Sequence, residues 1–337
     1  MTTMQAATAR RYGGPGVVTI ETLPRPEPQP GALRIRVTAA AVTAADARLR
    51  ANDAPRGFGL LMRLITGLIR PRNPVPGMEF AGIVDSLGTG TTGFAIGQRV
   101  FGVTGLGGGA HAGYLTIKAD ARLFALPETL SDAEGAAFFF GGLTAMDFLI
   151  DKARLQPGDR LLVNGATGSV GTAALQIAHH LGAQITAVAR SDNHALAHNL
   201  GADAVVDFRD GPLTGQYDVI LDVVGSLPYA TAAALLAPNG RLPPVTATLA
   251  QQVSAAIRPK RGTHRITAGI IADAKPAMAR LIRLHQGGVY RPVIGDTLPF
   301  ADIAAAHALA GSRHKRGNVV VVMPDPVAAQ NASAGQS

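Results

Sequence analysis

The 337-residue chain contains no cysteine. That absence excludes disulfides, thiolate nucleophiles and every cysteine-bearing zinc site. Charged residues are also scarce, 16% against 47% hydrophobic, which fits a folded protein with a large core and not a disordered chain. No apolar run reaches the roughly 18 residues needed to cross a bilayer. The nearest, Gly57 to Ile69, is shorter and carries Arg63. The opening MTTMQAATARRYGG lacks the apolar core of an export signal, so a cytoplasmic setting with no membrane partner is expected. Acidic residues are the rarer sign, 23 against 31 basic, for a net charge of +8. The densest basic stretch, Arg258 to Arg265, has no aromatic interleaving and no binding motif, so no nucleic-acid partner is expected. A basic surface suits an anionic cofactor equally well.

What is present falls into two textures. Up to about residue 122, short β-like runs (Leu33–Val37, Phe80–Val84, Tyr114–Ile117) are punctuated by Gly and Pro, as in an antiparallel sheet. From 123, strand-like runs at Arg160–Asn164, Gln184–Ala189, Ala204–Asp207 and Tyr217–Val224 alternate with helical patterns, which signals βαβ units and a parallel sheet. After Pro292 come a short helix, Phe300–Ala310, and an apolar strand, Asn318–Met323. The expected fold is therefore α/β. The two textures set residues 1–122 and 290–337 apart from 123–289, where the βαβ pattern makes a Rossmann-type domain. The apolar stretch Gly57–Arg70 is either a short helix over a cleft or a surface helix packed on the sheet.

The densest glycine pattern is NGATGSVGTAAL, Asn164 to Leu175. It follows the apolar run Leu161-Leu162-Val163. After it, Val170, Ala173, Ala174, Ile177, Ala178 and Leu181 fall on one face of a helix, with Gly182 at the capping position. Strand, glycine turn, helix and strand in that order make a site for a pyrophosphate at the helix N-terminus. Gly165, Gly168 and Gly171 let the backbone turn, approach phosphate and pack closely. Ala166, Thr167, Gly168, Ser169 and Val170 are the expected cradle. NAD sites usually end the second strand on an acidic residue. Here that strand ends in Arg190-Ser191, with Asp192 close behind. Arg190 and Ser191 suit a 2′-phosphate, with His194 a further contact, so NADPH is expected. Val223, at the carboxyl end of the fourth strand, should border the cofactor.

Six segments, RYGGPGVV (11–18), AAAVTAADARLR (39–50), GMEFAGIVDSLG (77–88), FFFGGLTAMDFL (138–149), NGATGSVG (164–171) and HKRGNVVVV (314–322), together resemble the medium-chain dehydrogenase/reductase superfamily. The resemblance implies that residues 1–122 and 290–337 form a GroES-like β-barrel substrate domain, split in sequence around a Rossmann NADP-binding domain at 123–289, with the nicotinamide in the cleft between them. Zinc-dependent members carry cysteine where this chain has Thr43 and histidine where it has Met78, so no metal is expected. The chain is similar to the zinc-free, zeta-crystallin-like quinone oxidoreductase branch. That implies an NADPH-dependent reductase of quinones or α,β-unsaturated carbonyls. Two alternatives stay open: a biosynthetic enoyl or carbonyl reductase of one specialised metabolite, and a catalytically silent NADPH-binding sensor or structural protein. By the same resemblance Thr144, Arg316 and Asn318 approach the nicotinamide, and the protein is a homodimer, through edge strands near His264–Ile270. The groups to contact substrate or supply a proton are Thr43, Tyr12 and His111, with Tyr114 or solvent as alternatives. Glu79 and Asp46 are expected to hold backbone and arginines such as Arg50.

Overall fold

The computed structural model describes residues 2–54, 57–243, 245, 260–261, 264–266, 275–312 and 315–324. The chain forms two compact units. One is drawn from residues 1–54, 60–139 and the segment from Ile294 onward, the other from 55–59 and 140–293. The first unit thus extends past residue 122. Strand Leu123–Ala125 pairs with Arg99–Val103, and the Phe139 ring stacks on Phe101 with centroids 4.8 Å apart.

In the first unit the strand Ala32–Val42 is central. It pairs antiparallel with Glu79–Leu87, Tyr114–Lys118 and Asn318–Val322. Its alternate residues Leu33, Ile35 and Val37 are buried, and they meet Phe80, Val84, Val100, Leu115, Val319 and Val321 in one core. The four consecutive valines after Asn318 explain why the C-terminal segment returns here. A β-branched run fills a pleated, buried position better than it fills a helix. Ile294–Pro299 then adds in parallel to that last strand.

The second unit is a seven-stranded sheet in the order Ala204–Val206, Gln184–Val188, Arg160–Asn164, Tyr217–Asp222, Leu236–Leu242, His264–Ile266, Lys260–Arg261. All pairs but the last are parallel. The first strand in sequence, Arg160–Asn164, lies between the second and the fourth, so the order of building reverses there. Ligands of such sheets bind beyond the carboxyl ends of the strands at that reversal. His264–Ile266 has neighbours on both sides, and residues 267–270, the rest of the segment expected to mediate self-association, lie outside the described residues. No helix among the described residues is long and apolar enough to cross a membrane.

Candidate active site

The glycine turn lies at the reversal point. Strand Arg160–Asn164 ends, Gly165 adopts φ +84°, and helix Ser169–His180 begins with Gly168 as its N-cap. No side chain caps this helix and its first turn holds no acidic residue, so its positive end is left for an anion. The three glycines do different work. A Cβ at Gly171 would stand 2.2 Å from the Gly165 carbonyl oxygen and 2.5 Å from the Ala166 carbonyl carbon, so this glycine is what lets helix and turn close up. A Cβ at Gly168 would meet only the Gly165 oxygen at 3.8 Å, because that side of the turn is open. Ala166, Thr167, Ser169 and Val170 are buried around it. The turn fits the pyrophosphate of a dinucleotide.

At the end of the second strand the cation expected from sequence has company. Arg190 pairs with Asp192 at 3.1 Å. Arg209, which follows the third strand, donates to Ser191 Oγ at 3.0 Å and pairs with Asp207, whose side chain is only 2% exposed. The Arg209 hydrogen bond holds the Asp207 carboxyl well below the usual carboxylate range, and the Ser191 amide donates to the same carboxylate at 2.7 Å. Two arginines therefore belong to this strand end, Arg209 on Ser191 and Arg190 on Asp192. Arg209 escaped the sequence reasoning because it belongs to the next strand's loop; the only signal was the run Asp207-Phe208-Arg209 at a strand's carboxyl end. His194 begins the next helix half-buried, and its Nε2 has no hydrogen-bond partner among the described residues.

Asp222 closes the fourth strand and fastens it to the first. Its carboxylate accepts from Asn164 Nδ2 at 2.8 Å and from the amides of Gly225 and Leu227, both at 2.9 Å. Val223 donates its amide to the Asn164 carbonyl, which places it beside the glycine turn. Thr144 is buried, and its hydroxyl donates to the Phe140 carbonyl one turn back at 2.6 Å, leaving only its oxygen lone pairs for a ligand. Asn318 is buried at the start of its strand in the other unit and Arg316 is exposed.

The first unit holds a cavity of about 250 Å3 lined by residues that include Tyr12, Asp46, Arg50, Thr66, Arg72 and Met78. Tyr12 donates to the Gly67 carbonyl at 2.7 Å and meets the Thr66 hydroxyl at 3.0 Å. Thr43 does not line this cavity. It caps helix Ala44–Ala51: its hydroxyl donates to Asp46 Oδ2 at 2.6 Å and accepts from the Asp46 amide at 3.1 Å. Its one proton is thereby committed. Asp46 serves that cap and makes no bond to Arg50; among the described residues Asp46 Oδ1 and Arg50 Nε and Nη1 have no hydrogen-bond partner, although Arg50 is 7% exposed. Burial lowers the Arg50 pKa. Lys315, half-buried near Asp46, is pulled down to about 8 by burial.

Two family models match the chain: the alcohol dehydrogenase GroES-like domain over residues 29–128 and the zinc-binding dehydrogenase over 200–321. Rat quinone oxidoreductase is 26% identical over 337 residues, spanning 95% of this chain and 98% of the rat protein. A mycocerosic acid synthase-like polyketide synthase of Mycobacterium tuberculosis is 30% identical over 320 residues, 89% of this chain, which spans 14% of that enzyme's length. The structure of a mycobacterial protein complexed with NADPH superposes with a TM-score of 0.76 at 26% identity, over 95% of this chain and 99% of the other. The chain belongs to the medium-chain dehydrogenase/reductase superfamily. It is an oxidoreductase of that family, whose members use nicotinamide cofactors.

The zinc-binding match stops short of residues 43 and 78. In this medium-chain dehydrogenase/reductase those positions are a capping threonine and a cavity-lining methionine. Neither is a good zinc donor. Among the described residues no three His, Asp or Glu side chains gather in a way that could hold a metal ion. Two histidines do meet. His111 is fully buried outside the cavity lining; its Nε2–H donates to the Ala41 carbonyl at 2.9 Å, and its Nδ1 accepts from His307 Nε2–H at 3.3 Å. A carbonyl can only accept, which sets both tautomers.

Burial pushes the His307 ring down to about 2, and His111 is lowered for the same reason. When the chain unfolds both rings return to about 6.5. Between about 2 and 6.5 the unfolded chain binds more protons than the folded one, so stability rises with pH across that window and gains nothing further above it. Urea unfolding at about pH 7 and pH 5 is expected to show a loss approaching about 1.4 kcal/mol per pH unit from His307, with His111 adding to it in the same direction. His307→Gln, which keeps a donor for His111, is expected to remove the His307 part of that slope.

Proposed function

We propose that this protein is a zinc-independent, NADPH-dependent reductase that acts on a quinone or an α,β-unsaturated carbonyl. The observation that carries the cofactor choice is the pair of arginines, Arg190 and Arg209, at the strand end where an NAD site would present a carboxylate. The bound coenzyme supplies a hydride. The chain's own residues do the rest. The open side of the glycine turn and the uncapped helix hold the pyrophosphate; Arg190, Ser191 and Arg209 hold the 2′-phosphate. The cavity of the first unit, walled in part by Leu49, Ile65, Val75 and Met78, suits an apolar acceptor.

The donor set supports zinc-independence. Without a Lewis acid, a conjugated acceptor suits these residues better than a simple alcohol, because delocalisation carries the charge that develops on its oxygen. Arg50, buried in the cavity wall with Nε and Nη1 unpartnered among the described residues, is the group to receive that oxygen. Arg50→Met is expected to lower kcat by about ten- to a hundred-fold, the loss of one hydrogen bond from a charged donor, with the KM for NADPH unchanged. Tyr12 holds the cavity wall through Gly67. With the Thr43 proton engaged by Asp46, solvent protonates the product.

The decisive measurement is loss of NADPH absorbance with a panel of quinones and enones. Turnover of simple quinones supports this reading. The polyketide synthase relatives favour a second one, an enoyl reductase of a specialised acyl chain, and turnover confined to one complex enone would select it. Tight NADPH binding with no acceptor reduced would leave only a non-catalytic NADPH-binding role.

A further inference from the structure

Eleven large hydrophobic side chains are exposed among the described residues, and six of them (Leu60, Leu61, Leu64, Ile65, Leu68 and Ile69) lie within ten consecutive positions. Such concentration is unusual on a monomer and marks an interaction surface. The first four share one face of the helix Gly59–Thr66. Its opposite face carries Met62 and Thr66, half-buried, with Thr66 fastened to Tyr12. The apolar face therefore points outward because the inner one is already engaged.

The charge within this segment has one sign. From Ala54 to Met78 the sequence holds Arg56, Arg63, Arg70 and Arg72 and no acidic residue. Arg63, Arg70 and Arg72 are exposed, and none joins an ion pair among the described residues. We propose that this face docks on the surface of an anionic lipid bilayer. Leucine and isoleucine side chains enter the acyl boundary while the arginines meet the headgroups, and neither contact needs a complementary shape. A second copy of the chain is a poorer occupant, since it would bring the same arginines against these. The lack of an apolar span bears on crossing a membrane, not on lying upon one. Ile65, Thr66 and Arg72 of the same segment line the substrate cavity, so a lipophilic acceptor would enter from the bilayer side. That consequence rests on the reductase proposal; the docking does not.

The test is co-sedimentation of the full chain with phosphatidylcholine vesicles, with and without phosphatidylglycerol. Binding is expected only when the anionic lipid is present, and to weaken at least about ten-fold in the double variant Leu60→Glu/Ile69→Glu. Neither residue lines the cavity, so an unchanged circular-dichroism spectrum and melting curve of the variant serve as the control for folding. Absence of vesicle binding by the parent protein would overturn the proposal. So would equal binding by parent and variant, or a parent dimer that the double variant dissociates.

Discussion

Gly171→Ala is expected to unfold much of the second unit's stability, while Gly168→Ala, three residues earlier, leaves folding intact and weakens coenzyme binding. The two positions differ in what a methyl group would meet. At Gly171 it would press on the Gly165 oxygen at 2.2 Å and the Ala166 carbonyl carbon at 2.5 Å. These are backbone atoms of the turn itself, so no rotamer change relieves the contact. Overpacking costs about 1–3 kcal/mol where side chains can yield, and here the cost should be about 3 kcal/mol or more. For a unit of this size that corresponds to a melting temperature lower by about 6–12 °C. At Gly168 the nearest atom is 3.8 Å away and the backbone is extended, so alanine costs little in the free protein. The methyl would occupy the space into which a pyrophosphate comes. An affinity loss of about ten-fold, read by calorimetry, is the expected result. If Gly168→Ala bound NADPH as the parent does, the turn would not be the phosphate site.

The second large effect concerns coenzyme choice. Arg190→Ala and Arg209→Gln are each expected to lower kcat/KM for NADPH by about ten- to a hundred-fold, the scale of one charge-assisted contact. NADH, which has no 2′-phosphate, should be nearly unaffected, and the double variant should prefer it. Arg209 also anchors Asp207, so its replacement needs a control that a structural role would fail. Parallel loss with both coenzymes would mean that Arg209 only supports the loop. Selective loss with NADPH would mean that it reads the phosphate. Increasing salt should mimic the substitutions in the parent, because both guanidinium groups are partly exposed.

Much of the architecture was legible in local pattern. The strands at Arg160–Asn164 and Tyr217–Asp222 begin where the apolar runs begin, and the helix Ser169–His180 ends one residue before the apolar face does. Gly182 adopts φ +75° at that helix's end, as a capping glycine should. Such features are encoded by periodicity and by residues that tolerate special backbone angles, both of which are read within a few positions. The site residues were less legible. Thr43 was visible as a polar residue in a telling motif, yet its hydroxyl serves a capping box with Asp46. Thr144 lies in another, and its hydroxyl returns to its own helix. His111 looked available for substrate and is fully buried against His307.

By itself the sequence determined the class of fold, the place of the glycine turn and the absence of thiol chemistry. It did so because backbone preference, hydrophobic period and composition are local or summed quantities. Only the tertiary structure decided which polar atoms find partners. His111 meets a residue 196 positions away, and Ser191 meets one 18 positions away on another strand's loop. It also decided that Arg50 is left with N–H groups unpartnered among the described residues and that the leucines after Gly59 face outward. Those outcomes depend on how distant segments share a limited volume, and no window of sequence contains that information.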